Sequence, residues 1–126
     1  MPGPYILDTN AVIYYVGGEV KALEKLIPIM RSYAAVMLPS VVITELWSGK
    51  QTPSTEIAAI EEFIATIVII PLEMQIAKFA GILRRDHNLS IGDSIIAATA
   101  LSMGATLLTR NIRDFKKVPG LLLEAV

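Results

Sequence analysis

Cysteine is absent from this chain of 126 residues, histidine occurs once, and charged residues make up only 18% of it. Without cysteine there is no disulfide, and a cytoplasmic home is the default expectation. With a single histidine, carboxylates become the main catalytic equipment on offer. The net charge of −1 excludes a broadly basic nucleic-acid binder. No basic region followed by an apolar segment stands at the N-terminus, so nothing there suggests export. The longest apolar stretches, 64–72 and 95–101, are interrupted or too short to span a bilayer, which argues against a membrane protein. Hydrophobic residues nevertheless make up 53% of the chain. That is apolar for so small a globule, and part of the excess is expected on the surface as a partner or dimer interface. The length suits one domain over 1–126.

What is present alternates between short β-branched runs and longer segments of helical period. Residues 5–8 read as a strand, after which the chain turns helical near Asn10. Residues 20–32 read as a helix with Val20, Leu23, Leu26, Ile27 and Met30 on one stripe. Ala35 to Leu38 reads as a second strand closed by Pro39, and Ser40 is placed to cap a helix running to about Gly49. Pro53-Ser54 opens the next helix, with Glu56 near its positive end. Ile67 to Ile70 is a third strand stopped by Pro71. A helix with Ile76, Phe79, Ala80 and Leu83 inward then ends near Arg85 to Asn88. Ser90 caps an apolar helix from Ile91 to Met103 that Gly104 ends. Ala105 to Thr109 is a fourth strand, and Leu121 to Glu124 a short fifth.

Strands alternating with helices imply a parallel sheet covered on both faces. Right-handed crossovers then put every strand's carboxyl end on one edge, where such folds bind ligands. Asp8 ends the first strand, and Asp114 follows the fourth. Glu45 lies in the early turns of the helix after the second strand, and Asp93 in the first turn of the helix leading into the fourth. Helices run antiparallel to the strands they connect, so all four acids are expected at that edge.

Each acid also has a plainer explanation. Asp8 is able to cap the helix starting near Asn10, and Asp93 stands three residues after Ser90, close to a capping box. Asp114 has an adjacent arginine to pair with. Glu45 is harder to explain away. Its neighbours Val41, Val42, Ile43, Leu46 and Trp47 imply a largely buried helix, where a carboxylate is costly unless bonded, paired or bound to metal. The other acids, among them Glu19, Glu56 and Glu124, read as structural. His87 reads as a helix terminus, and Trp47 as core or rim rather than a base-stacking platform. Together the four acids would repel one another unless cations were present. Hard oxygen ligands suit Mg²⁺ or Mn²⁺, with bound waters left for chemistry on a phosphodiester.

With these positions aligned, the chain resembles the PIN domain family, and in particular its VapC-type toxin ribonucleases. The resemblance runs through residues 5–10, then 40–46, then Asp93 with the run 94–100, and finally 109–115 followed by 118–121. It implies a three-layer αβα sandwich with a parallel sheet of about five strands in the order 3-2-1-4-5. It also implies that Asp8, Glu45 and Asp93 coordinate catalytic Mg²⁺ or Mn²⁺, with Asp114 as the fourth acid and Asn111 the polar residue ahead of it. Which of Asn111 and Asp114 comes nearer the metal stays open. Thr9, Asn10 and Thr109 would support the site through hydrogen bonds.

The function implied is an endoribonuclease cutting structured cellular RNA, usually homodimeric, and the toxin of a pair with a cognate antitoxin. Arg110, Arg113 and Lys116, a local basic group, are the expected RNA contacts. The alternative is a non-catalytic PIN-like module that binds a partner protein or nucleic acid. A pure binder of phosphate gains nothing from four acids, and a small-molecule phosphatase would want an Asp-x-Asp nucleophile that is missing.

Overall fold

A computed structural model describes residues 3–49 and 54–126. Strand β1 (Tyr5–Leu7) leads through Asp8 into helix α1 (Thr9–Val16), and α2 (Val20–Arg31) follows. Strand β2 (Val36–Pro39) runs directly into α3 (Ser40–Trp47). A 3-10 turn (Ser54–Glu56) precedes α4 (Ile57–Ile64) and β3 (Val68–Ile70). Helices α5 (Met74–His87) and α6 (Ile91–Met103) come next. Strand β4 (Thr106–Thr109), the short α7 (Ile112–Phe115) and β5 (Leu122–Ala125) complete the order.

The sheet is wholly parallel, in the order β3-β2-β1-β4-β5. Every residue of β1 and β2 is buried, so helices cover both faces of the sheet's centre, while β3 and β5 are the partly exposed edges. Tyr5 stands opposite Val36 on one side and Thr106 on the other. The core gathers Ile6, Leu7, Leu38, Leu107 and Leu108 from the strands with Val12, Leu26, Leu46, Ile60 and Ile96 from the helices. Several large apolar side chains stay exposed, including Val20, Val68, Met74 and Ile91, in line with the surplus of hydrophobic residues. No helix among the described residues is long and apolar enough to cross a membrane.

Four local expectations need correction. The first strand stops at Leu7, because Asp8 already occupies the N-cap of α1. Ser40 caps nothing: Pro39 holds the extended cap position without a side-chain bond, because β2 passes into α3 with no intervening loop. Ser54 enters a 3-10 turn before the α-helix begins at Ile57, and Pro53 lies outside the described residues. Helix α3 is also less buried than its sequence implies. Val42 and Leu46 face the core, but Thr44 and Trp47 are exposed and Glu45 is half-buried. At the C-terminal half the expectations hold: Ser90 Oγ accepts from the Asp93 amide, and Gly104 ends α6 in the left-handed conformation.

Candidate functional site

The carboxyl edge of the sheet carries a cavity of about 180 Å³ lined by Asp8, Thr9, Asn10, Glu45, Asp93, Ile96 and Asn111. Each acid arrives from a different element. Asp8 sits where β1 turns into α1, Glu45 is on α3, and Asp93 is in the first turn of α6. Asn111 follows β4.

Asp8 is 6% exposed and held at both oxygens. Its Oδ1 accepts from the Ala11 amide at 2.9 Å, capping α1, and its Oδ2 accepts from Thr109 Oγ1 at 2.5 Å. The same Thr109 hydroxyl accepts from the Asn111 amide at 2.9 Å, so β4 ties Asp8 to Asn111. Capping α1 therefore does not take Asp8 out of the cavity: one oxygen serves the cap, and the other is held by Thr109. Glu45 Oε1 accepts from Thr9 Oγ1 at 2.5 Å, which links α3 to α1. Asn111 Nδ2 reaches Asp93 Oδ2 at 3.4 Å.

The electrostatics are those of crowded anions. Burial pushes the Asp8 carboxyl above its ordinary range, and neighbouring Glu45 adds to this. The bonds from Thr109 and the Ala11 amide, and the charge of Arg110, pull the other way. Asp93 is likewise pushed up, first by burial and then by Glu45, Asp8 and Asp114. No cationic side chain lines the cavity among the described residues.

This donor set is hard oxygen throughout, and its chemistry fits Mg²⁺ or Mn²⁺. Among the described residues no three acids stand close enough to cage an ion unaided. Mg²⁺ does not require a cage: it keeps several waters and binds through one or two carboxylates together with substrate phosphate. Asp8, Glu45 and Asp93 are the carboxylates of the lining that could hold such an ion.

The remaining site candidates lie around this centre. Asp114 is not in the cavity lining; the side chain of Asn111, then Arg113 and Lys117, hold its carboxyl below the ordinary range. It contributes to the centre through its charge on Asp93. Of Asn111 and Asp114, only Asn111 lines the cavity. Arg113 and Lys116 are exposed, whereas Arg110 is already engaged. Its Nη1 bonds Glu19 Oε2 at 2.8 Å, its Nε donates to the Val126 carbonyl at 2.6 Å, and its guanidinium lies 4.0 Å over the Tyr14 ring.

Two features have no place in the reading by sequence. Glu19, assigned a structural role on a polar surface, is the partner of Arg110 from 91 positions away, and no local pattern signals such a pair. Gly92 lies against the Glu45 carboxylate. Its signal was available, because a glycine in the first turn of a helix weakens that helix and calls for a reason.

Comparison with known proteins agrees with this fold. The PIN domain family model matches residues 5–121. Ribonuclease VapC2 of Haemophilus influenzae is 30% identical over 128 aligned residues, covering 95% of this chain and 96% of that protein. The tRNA(fMet)-specific endonuclease VapC of Salmonella typhimurium is 26% identical, with the same coverage of both chains. Among solved structures, VapBC2 from Rickettsia felis bound to a DNA fragment from its promoter superposes with a TM-score of 0.82 at 25% identity, covering 97% of this chain and 98% of that one. With the family model spanning strands β1 to β4 and the fold matching, this chain belongs to the PIN domain family, in its VapC-type branch.

Proposed function

We propose that this chain is a metal-dependent endoribonuclease that cuts structured RNA in the cytoplasm, as the toxin of a toxin–antitoxin pair. The observation that carries the reading is the cavity at the carboxyl edge of the sheet, where Asp8, Glu45 and Asp93 meet without a counter-charge in the lining. A bound Mg²⁺ or Mn²⁺ supplies charge for the phosphodiester oxygens and lowers the pKa of water there. Asp8, Glu45 and Asp93 would hold the ion between them. Thr109 and Thr9 fix the orientation of Asp8 and Glu45 through their hydroxyls. Asn111 presents an amide to the Asp93 side of the cavity and steadies that carboxylate. Arg113 and Lys116, exposed beside Asn111, are the groups available to the RNA backbone.

A folded RNA offers unstacked loops as accessible targets, and one relative is named for tRNA(fMet). The antitoxin partner is supported by the similarity to VapBC2, whose solved structure is that of the VapBC2 complex on promoter DNA. Exposed Met74, Ile82 and Ile91 supply apolar surface for a homodimer contact. The test is cleavage of total RNA by the purified chain. EDTA should abolish it and either Mg²⁺ or Mn²⁺ restore it. Undiminished cleavage in chelator, with contaminating nuclease excluded, would remove the metal from the mechanism, and absence of cleavage under all conditions would leave a binding module.

A further inference from the structure

Glycine brings nothing to pack and loses the most chain freedom on folding, so the first turn of a helix is a costly place for it. Gly92 is the second residue of α6, with a backbone conformation open to any residue. What sets it apart is the space beside it. A Cβ at this position would stand 2.6 Å from Glu45 Oε2 and 3.3 Å from Glu45 Cδ. The carboxylate therefore occupies the room that the missing side chain leaves. Its other oxygen is held by Thr9 Oγ1 at 2.5 Å. Glu45 is thus fixed between the hydroxyl of α1 and the bare turn of α6, one residue from Asp93.

We infer that Gly92 is a positioning residue for the acidic site: its lack of a side chain sets where the Glu45 carboxylate stands. This rests on the proposed metal-dependent reading for its effect on activity, but the geometric part stands apart from it. The atom in the way is the tip of a flexible side chain, so the fold should absorb a methyl group by moving Glu45. Stability and function then part company. Gly92→Ala should melt at the wild-type temperature or about 2–4 °C higher, from better helix propensity. It should nevertheless weaken Mn²⁺ binding and RNA cleavage on the order of 10- to 100-fold, as displaced site groups do.

The experiment compares wild type, Gly92→Ala, Glu45→Asp and the double variant in melts, in Mn²⁺ titration by electron paramagnetic resonance, and in cleavage. Gly81→Ala is the control, because a Cβ at Gly81 of α5 meets nothing within 4 Å; it should raise stability and leave Mn²⁺ binding alone. Shortening Glu45 by one methylene withdraws its carboxylate by about 1.5 Å. Adding Gly92→Ala to Glu45→Asp should accordingly cost less than about threefold further. Full additivity of the two changes, or wild-type Mn²⁺ affinity in Gly92→Ala, would overturn the inference. If wild type itself neither binds Mn²⁺ nor cleaves RNA, the proposed function fails. A crystal structure of Gly92→Ala then decides the geometry alone: Glu45 moved off Thr9 supports the inference, and Glu45 unmoved overturns it.

Discussion

Replacing Thr109 by valine removes one oxygen from a fully buried position and keeps the side chain's shape. The lost hydroxyl donates to Asp8 Oδ2 and accepts from the Asn111 amide. A hydrogen bond to a charged group contributes about 1.5–3 kcal/mol net. The Asn111 amide is uncharged and only part-buried, so most of the cost falls on Asp8. For a chain of 126 residues this corresponds to a melting temperature lower by about 6–11 °C at neutral pH. The pH dependence has a definite sign. The Thr109 bond lowers a carboxyl that burial has raised above 3.8, so losing it moves the folded-state pKa further up. The variant's extra cost should be smallest well below 3.8, where Asp8 is protonated in the folded and unfolded chains alike, and grow as pH rises through the wild-type folded value. Thr109→Ser keeps the oxygen and should recover most of the loss. Denaturant melts of the three proteins at about pH 3 and pH 7.5 measure this. Equal losses at both pH values, or no loss at neutral pH, would show that the hydroxyl does not hold Asp8 as described.

Asp8→Asn keeps an N-cap acceptor for α1, so it and Asp93→Asn should fold while losing at least about two orders of magnitude in RNA cleavage; Asp114→Asn, outside the cavity lining, should lose less. Because burial raises both Asp8 and Asp93, the folded chain holds protons that the unfolded chain releases. Metal-free stability should therefore fall as pH rises above 3.8 through the folded values, and each Asn variant should flatten that fall in thermal melts. Glu45→Gln keeps the Thr9 bond but removes a charge that burdens both aspartates, so it should melt higher without metal and gain less from Mn²⁺. A variant melting lower in both conditions and still cutting RNA would take Glu45 out of the site. Arg110→Ala should lose about 1–2 kcal/mol from the Glu19 pair and the Tyr14 face, and NMR titration should show Asp8 moved further up. Lysine there should not restore the stability of the Glu19 pair, for want of a planar fork.

How much of this could be read in advance depended on distance along the chain. The Ser90 cap and Gly104 stop of α6 lie next to the apolar run they bound, and both are as expected. The convergence of Asp8, Glu45 and Asp93 followed from topology alone, since parallel strands and their helices leave few other places for them. Helix α7 was missed because four residues are too few to show a helical period. The burial of α3 was overestimated because apolar residues on both sides of Glu45 hide which face meets water; Trp47 is 45% exposed. The pairing of Glu19 with Arg110 was not legible at all. It joins residues 91 positions apart, and either alone looks like an ordinary surface charge.

The pairing of β1 with β4 also bears on time. Asp8 cannot take its seat until Thr109 exists, and 101 positions separate them. Ribosomes add about 5–20 residues per second, so roughly 5–20 s pass between making one and making the other. Closing a loop of that length then costs about 4 kcal/mol in chain entropy before the contact returns anything. During that interval Asp8, then Glu45, then Asp93 are made before Thr109 is there to seat the first of them. The making of the first site residue and the assembly of the cavity are thereby separated: Asp8 waits for Thr109, on a strand made after every acid of the cavity lining.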